Sequence, residues 1–227
     1  PLKRFLPLLR CPRCGGGFML DGGSLVCPEK HTYDIAARGY VHLAPDKRQP
    51  RGYSAASYAA RAAFLDAGFY DHILEGVLSR LNRGPTADAG CGEGWFAAHA
   101  ARAGKGPVYG LDLSRDAVRR AAGRSKDVCW LVADLANMPL KTGSMMAVVN
   151  LFSPANYAEF QRVLAPGGVL LKAVPGPAHL KELRRLAGDQ LPPRGPDTQA
   201  VARHFAQNMR LSECVRLTRT LPMTQVQ

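Results

Sequence analysis

The run Thr86-Ala87-Asp88-Ala89-Gly90-Cys91-Gly92-Glu93-Gly94 limits the fold of this chain more than any other stretch. A short apolar run ending in three alternating glycines describes a strand that turns sharply and brings bare backbone close to a ligand. The spacing is not the dinucleotide G-x-G-x-x-G, because Gly94 comes one residue early and an acidic Asp88 leads the turn. Such a turn places its ligand beyond the carboxyl ends of the strands of a parallel sheet.

The pattern downstream agrees. Strand-like runs at 108–113, 128–133, 146–152 and 168–174 alternate with helical stretches at 96–103, 115–124 and 157–164. This alternation predicts an α/β fold, a parallel sheet covered on both faces. Ahead of the first strand, Tyr58, Ala62 and Leu65, then Ile73, Val77 and Leu81, recur at helical spacing with a break at Ala67-Gly68. Ala165-Pro166-Gly167-Gly168 reads as the turn into the fifth strand. After a helical stretch at 199–209 only one more strand candidate follows, 212–220, so the sheet is expected to lack its last strand.

Two further carboxylates fall at strand ends. Asp112 lies 22 residues after Gly90, where it can accept hydrogen bonds from both ribose hydroxyls of a nucleoside or, alternatively, cap the helix starting near Arg115. Asp134 ends the third strand and suits an adenine amino group, although such an Asp also favours turns.

A second signal lies upstream. Cys11 and Cys14 form a C-x2-C turn, and Cys27 and His31 a C-x3-H turn, joined by a glycine-rich hairpin. Zinc takes four nitrogen or sulfur ligands in a tetrahedron, and two such turns supply them. Four protein ligands close the site to water, so the metal serves folding and recognition rather than catalysis. The remaining cysteines, Cys91, Cys129 and Cys214, are scattered singly, which favours metal binding in a reducing compartment over a disulfide framework.

At 227 residues the chain accommodates one ordinary core and a small satellite. The expected division is a zinc-binding domain over 1–46, which the family resemblance given below implies is an RNA-recognition domain, a linker with helices over 47–85, and a cofactor-binding domain over 86–227. Thirty basic against 18 acidic side chains give a net charge of +12. A field of that sign attracts phosphate backbones, and it is equally read as the mark of an Arg-rich composition. No apolar run reaches the ~20 residues of a membrane-spanning helix. With no secretory signal in the opening residues, no membrane association and a cytoplasmic location are expected.

The glycine turn with its leading Asp88 resembles that of class I S-adenosylmethionine-dependent methyltransferases. Several motifs taken in order are more specific. They are the knuckle with Tyr33-Asp34 and Gly39-Tyr40-Val41, the stretch 61–70 (Arg-Ala-Ala-Phe-Leu-Asp-Ala-Gly-Phe-Tyr), the loop 90–94, and 175–180 (Pro-Gly-Pro-Ala-His-Leu). Together they resemble the bacterial 23S ribosomal RNA guanine-N1 methyltransferases, a family with a housekeeping branch and a macrolide (tylosin) resistance branch. The resemblance implies a Rossmann-like sheet with a small N-terminal zinc-ribbon-like domain. It implies zinc on Cys11, Cys14, Cys27 and His31. It also implies S-adenosylmethionine contacted by Tyr70, Gly92, Glu93 and His179, with Asp112 on the ribose. Read without the resemblance, Tyr70 is a core aromatic and His179 a helix-start residue.

In related enzymes the segment after the fourth strand, here Asn150-Leu151-Phe152-Ser153-Pro154, presents carbonyls and an aromatic face to the target base. Phe152 is therefore expected to stack on the guanine, and Asn150 or Asn156 to orient its N1. No residue stands out as the general base. Two other readings stay open: a methyltransferase for a small molecule, and a zinc-dependent RNA-binding protein with an inactive cofactor domain. Association into a homodimer is also left open by the sequence.

Overall fold

The computed structural model of the protein describes residues 2–50, 54–187 and 197–220. A 3-10 turn over Leu2–Leu8 leads into the knuckle, whose three-stranded antiparallel sheet is β1 (Met19–Asp21), β2 (Ser24–Val26) and β3 (Thr32–Asp34). Gly22, at φ 56°, makes the two-residue turn between β1 and β2, a conformation that only glycine adopts cheaply. A two-residue strand, β4 (Val41–His42), follows, and then α1 (Ala55–Asp66) and α2 (Asp71–Leu78).

The larger layer alternates as expected: β5 (Thr86–Ala89), α3 (Trp95–Arg102), β6 (Val108–Asp112), α4 (Arg115–Arg124), β7 (Val128–Val132), β8 (Met145–Leu151), α5 (Tyr157–Val163) and β9 (Leu164–Ala173). Two further helices, α6 (Lys181–Ala187) and α7 (Thr198–Asn208), come last. The sheet runs β4-β7-β6-β5-β8-β9 and is parallel throughout. From β5 the chain winds outward through β6 and β7, then returns to the other flank at β8. That reversal opens a crevice beyond the carboxyl ends of β5 and β8. Every residue of β5 and β7 is buried, as strands covered on both faces require.

Three details depart from the sequence reading. First, the two sides of the boundary expected after residue 46, itself in an exposed turn, do not have separate cores. β4 pairs in parallel with Leu131 and Val132 of β7, and Phe5, Leu9, Leu25 and Tyr33 share one core with Ala87, Tyr109 and Val148. The knuckle is too small to bury a core, and it borrows the sheet's. Second, the turn at 165–168 lies within β9, at an irregularity where the pairing jumps from Met145–Leu164 to Ala147–Val169. Third, 212–220 is not a strand. Instead it lies along α2, where a β-carbon at Gly76 would come within 2.6 Å of Leu217, Arg80 pairs with Glu213, and Arg219 donates to the carbonyl of Gly68. The parts of the expected cofactor domain at 188–196 and 221–227 lie outside the described residues.

Candidate active site

The glycine turn is built by steric necessity. Gly90, Gly92 and Gly94 all have positive φ, at 86°, 54° and 80°. A β-carbon at Gly90 would lie 2.0 Å from the Ser153 hydroxyl, and one at Gly94 2.4 Å from the Trp130 ring, so neither position has room for a side chain. Gly92 differs. Only Arg61, at 3.9 Å, comes near its missing β-carbon, so its backbone faces open space. Gly94 also starts α3, whose first N–H groups carry partial positive charge toward the turn.

Asp112, at the end of β6, holds the turn. Its Oδ2 accepts from Gly92 N–H and its Oδ1 from Ser114 N–H, both at 2.9 Å. The cap of α4 is Ser114, whose hydroxyl accepts from Ala117 N–H, so Asp112 is not spent on capping. Each of its carboxylate oxygens keeps a second lone pair. Asp134 is engaged elsewhere: it pairs with Lys47 at 2.8 Å and accepts from Ala136 N–H at 2.9 Å. Burial opposes its ionisation, but those two partners more than offset it and hold the carboxyl below its usual range.

Beside the turn is a cavity of about 330 Å³ lined by Asp88, Gly90, Glu93, Tyr70, Phe152 and His179, among others. Two of its carboxylates are deeply buried, Asp88 at 2% and Glu93 at 4% exposure. Asp88 Oδ2 and Glu93 Oε1 have no hydrogen-bond partner among the described residues. Burial, and then the neighbouring Asp112 charge, push the Asp88 carboxyl up to about 7. Glu93 is raised by burial, which Arg61 at 3.8 Å partly counters. Ionising a buried carboxyl is costly, and a cation placed in this cavity would offset that cost.

Aromatic rings close the other side. Tyr70 Oη and His179 Nε2 are 3.3 Å apart, the Tyr70 and Phe152 centroids 5.6 Å, and Phe152 and His179 are nearly parallel at 6.5 Å. Burial, with Arg184 adding to it, lowers His179 and favours the neutral ring. Phe152 sits at φ 55°, a left-handed conformation that costs a non-glycine residue roughly 1–2 kcal/mol. Strain held in this way is a common mark of a working site. A sulfonium or ammonium group gains from such faces as well as from the carboxylates. Both halves of S-adenosylmethionine's methionyl cation therefore fit the residues present.

Two expected base contacts have other duties. Asn150 is fully buried, and its amide nitrogen donates to the carbonyls of Ala89 at 2.8 Å and Pro154 at 3.1 Å. It ties the end of β5 to the 151–154 loop. Asn156 caps α5, accepting from Glu159 N–H at 3.1 Å, and is likewise committed to backbone.

At the knuckle, Cys11 Sγ and Cys27 Sγ lie 3.6 and 3.4 Å from His31 Nδ1, and Cys14 Sγ lies 3.5 Å from Cys27 Sγ. All four ligand atoms fall within 4.8 Å of one another. Tetrahedral bonds of ~2.3 Å to sulfur and ~2.0 Å to nitrogen imply ligand separations of roughly 3.4–3.8 Å, whereas a disulfide needs ~2.05 Å. Burial opposes ionisation of Cys11, but the backbone amides of Cys14 and Arg13 and the Tyr33 hydroxyl bring its thiol down to about 6. The donor set therefore fits zinc. The knuckle is anchored to the sheet domain by Asn137, which donates to Pro12 O, and by Arg10, which bonds Asn137 and Met138.

Among the described residues no helix is long and apolar enough to cross a membrane.

Comparison with known proteins follows the same two parts. Residues 9–49 match the zinc-ribbon family described as RlmA, N-terminal, and residues 87–168 match the methyltransferase domain family. A Bacillus subtilis protein provisionally named a 23S rRNA (guanine-N(1)-)-methyltransferase is 35% identical over 92% of this chain and 79% of its own length. The Streptomyces fradiae 23S rRNA (guanine(748)-N(1))-methyltransferase is 34% identical over 80% of this chain and 68% of its own. Among solved structures, a geranyl diphosphate C-methyltransferase from Streptomyces coelicolor aligns at 20% identity and a TM-score of 0.47, over 61% of this chain and 58% of that one.

Proposed function

We propose that this chain, which belongs to the family of 23S ribosomal RNA (guanine-N1)-methyltransferases, methylates N1 of a guanine in a loop of 23S ribosomal RNA. The observation that carries this reading is the joining of two modules in one packed body. The four-ligand knuckle and the glycine-turned, acid-lined cavity share a core, so a segment of RNA gripped by one is held at a fixed distance from the other. The cofactors are S-adenosylmethionine and zinc.

S-adenosylmethionine supplies a methyl group on a positively charged sulfur. The protein's work is positioning. Asp88 and Glu93 hold the cationic methionyl part with the oxygens that accept no hydrogen bond, Asp88 Oδ2 and Glu93 Oε1. Asp112, fixed by Gly92 and Ser114, offers its remaining lone pairs to the ribose. Tyr70 and His179 form the wall through which the reactive end is reached. Asp134, with one partner on each oxygen as Asp112 has, keeps a second lone pair on each for the adenine amino group. Phe152, half exposed beside that wall, stacks on the target base, which must leave its own stack to be reached. Asn150 and Asn156 hold the Phe152 loop in place. The zinc serves as a structural clamp for the RNA-gripping hairpin, and its four ligands leave no position for water. Ribosomal RNA as substrate places the protein in the cytoplasm.

The test is transfer of label from methyl-labelled S-adenosylmethionine to unmodified 23S ribosomal RNA, followed by nucleoside analysis. The expected product is 1-methylguanosine, close to one per RNA molecule. Label in another nucleoside, in protein, or only in a small molecule overturns the reading.

A further inference from the structure

A second cavity of about 460 Å³ adjoins the first and shares Phe152 and Pro175 with it. Its wall includes Ser153, Pro154, Tyr157, Lys172 and His204. Lys172, on β9, is half buried and forms no ion pair among the described residues. Its Nζ donates to Asn150 Oδ1 at 2.5 Å and to the Ser153 carbonyl at 3.1 Å. An ammonium has three hydrogens, so one donor is left at the edge of a cavity that Ser153 and Lys172 both line. Asn150, itself fixed to Ala89 and Pro154, holds that ammonium in one place.

A partly desolvated cation with no counter-ion and one spare donor is matched by a group that becomes negative during a reaction. Guanine does so: when N1 loses its proton, the charge spreads onto O6. We propose that the second cavity receives the target guanine and that Lys172 is a catalytic residue, donating its free hydrogen to O6 and stabilising the N1 anion. This rests on the guanine-N1 reading above. The balance is simple. The N1 proton passes to solvent water, the N1 lone pair forms the bond to methyl carbon, and the carbon–sulfur pair returns to sulfur. Lys172 keeps its proton throughout. Burial lowers its affinity for that proton, which makes the remaining hydrogen a stronger donor. The other titratable side chains on this cavity are Tyr157 at the start of α5 and His204 of α7.

The test compares wild type with Lys172→Met and Lys172→Arg in two measurements, adenosylhomocysteine binding and methyl transfer to 23S ribosomal RNA between pH 6 and 9. Loss of one preorganised donor costs roughly 100-fold in rate. Lys172→Met should bind adenosylhomocysteine within about threefold of wild type and transfer methyl roughly 100-fold more slowly at pH 7. Its rate should keep rising with pH where wild type has levelled, because the guanine must then ionise unaided. Lys172→Arg keeps the charge and should retain the wild-type profile at intermediate rate. A Met variant within threefold of wild type, or one slowed equally at every pH, overturns the inference. Should the Met variant lose adenosylhomocysteine binding, the Arg variant decides: a wild-type profile supports the proposal and a steepened one refutes it. Wild-type protein that binds adenosylhomocysteine yet leaves guanine N1 unmethylated overturns the functional reading itself, before any substitution is made.

Discussion

Replacing Asp88 by Asn should make the free protein more stable while removing its hold on the cofactor. The carboxyl is buried at 2% exposure, and burial together with the Asp112 charge raises it to about 7. An unfolded Asp titrates near ~3.9. Below about pH 4 both states hold the proton and the folded state carries no penalty. Stability is then lost as pH rises from about 4 to about 7, because the unfolded state ionises first, and above that range the penalty is complete. Three units correspond to about 4 kcal/mol. The new amide hydrogens need partners in place of an oxygen that has none, which takes back part of that sum. We expect a net gain of about 1–2 kcal/mol at pH 8 and none at pH 4. In urea unfolding this moves the midpoint up by roughly 0.5 M at pH 8. Adenosylhomocysteine, titrated calorimetrically, should bind about 10- to 100-fold more weakly, as expected for losing one charge-assisted contact. A variant destabilised by more than ~1 kcal/mol at pH 8, or one with unaltered affinity, refutes the assignment of Asp88 as a buried anion kept for a cationic ligand.

Other outcomes follow from the same packing. Gly94→Ala should fail to fold or lose more than ~3 kcal/mol, since its β-carbon meets the Trp130 ring at 2.4 Å and that of Ala121 at 2.7 Å, whereas Gly92→Ala should cost only ~1 kcal/mol in thermal melts. Chelating the metal should lower the melting temperature of the whole chain in one transition, because Cys11, Leu25 and Cys27 belong to the sheet's core; two separate transitions on calorimetry would contradict this. Glu159 is held below the usual carboxylate range: burial opposes ionisation, but Arg162 and the Met138 amide outweigh it. Its contribution is present above its unfolded value, near pH ~4.3, and lost as pH falls further, so Glu159→Gln should cost about 2–3 kcal/mol at pH 7 and much less at pH 3 by urea unfolding.

The core strands were legible because burial on both faces leaves a signal in residue type. Thr86–Ala89 and Arg115–Arg124 have the bounds read from the sequence, and β6, β7, β8 and α3 lie within one residue of them. The knuckle ligands were legible for a different reason: metal coordination demands particular atoms at particular spacings. What the sequence did not reveal depends on contacts between distant residues. Val41–His42 reads as an extended segment, but nothing in it points to its partner in β7, about ninety residues away. The stretch 212–220 alternates as a strand does, but Leu217 packs at Gly76 of α2 and Glu213 pairs with Arg80 just beyond that helix. The bonds of Asn150 to the carbonyls of Ala89 and Pro154 likewise join residues that no local pattern links. Lys172 carried no motif. Only the arrangement of Asn150, Ser153 and the second cavity distinguishes it from a surface lysine.

The central claim is that the glycine-turned cavity delivers a methyl group to guanine N1. A methyl group there blocks the Watson–Crick edge and halts reverse transcriptase. Primer extension across 23S ribosomal RNA treated with wild-type protein and S-adenosylmethionine held below its wild-type Kd should show one new stop, next to a loop guanine, and Asp88→Asn protein a stop weakened roughly 10-fold or more. Extension that reads through every guanine after treatment, or an equal stop with the Asn variant, contradicts the account.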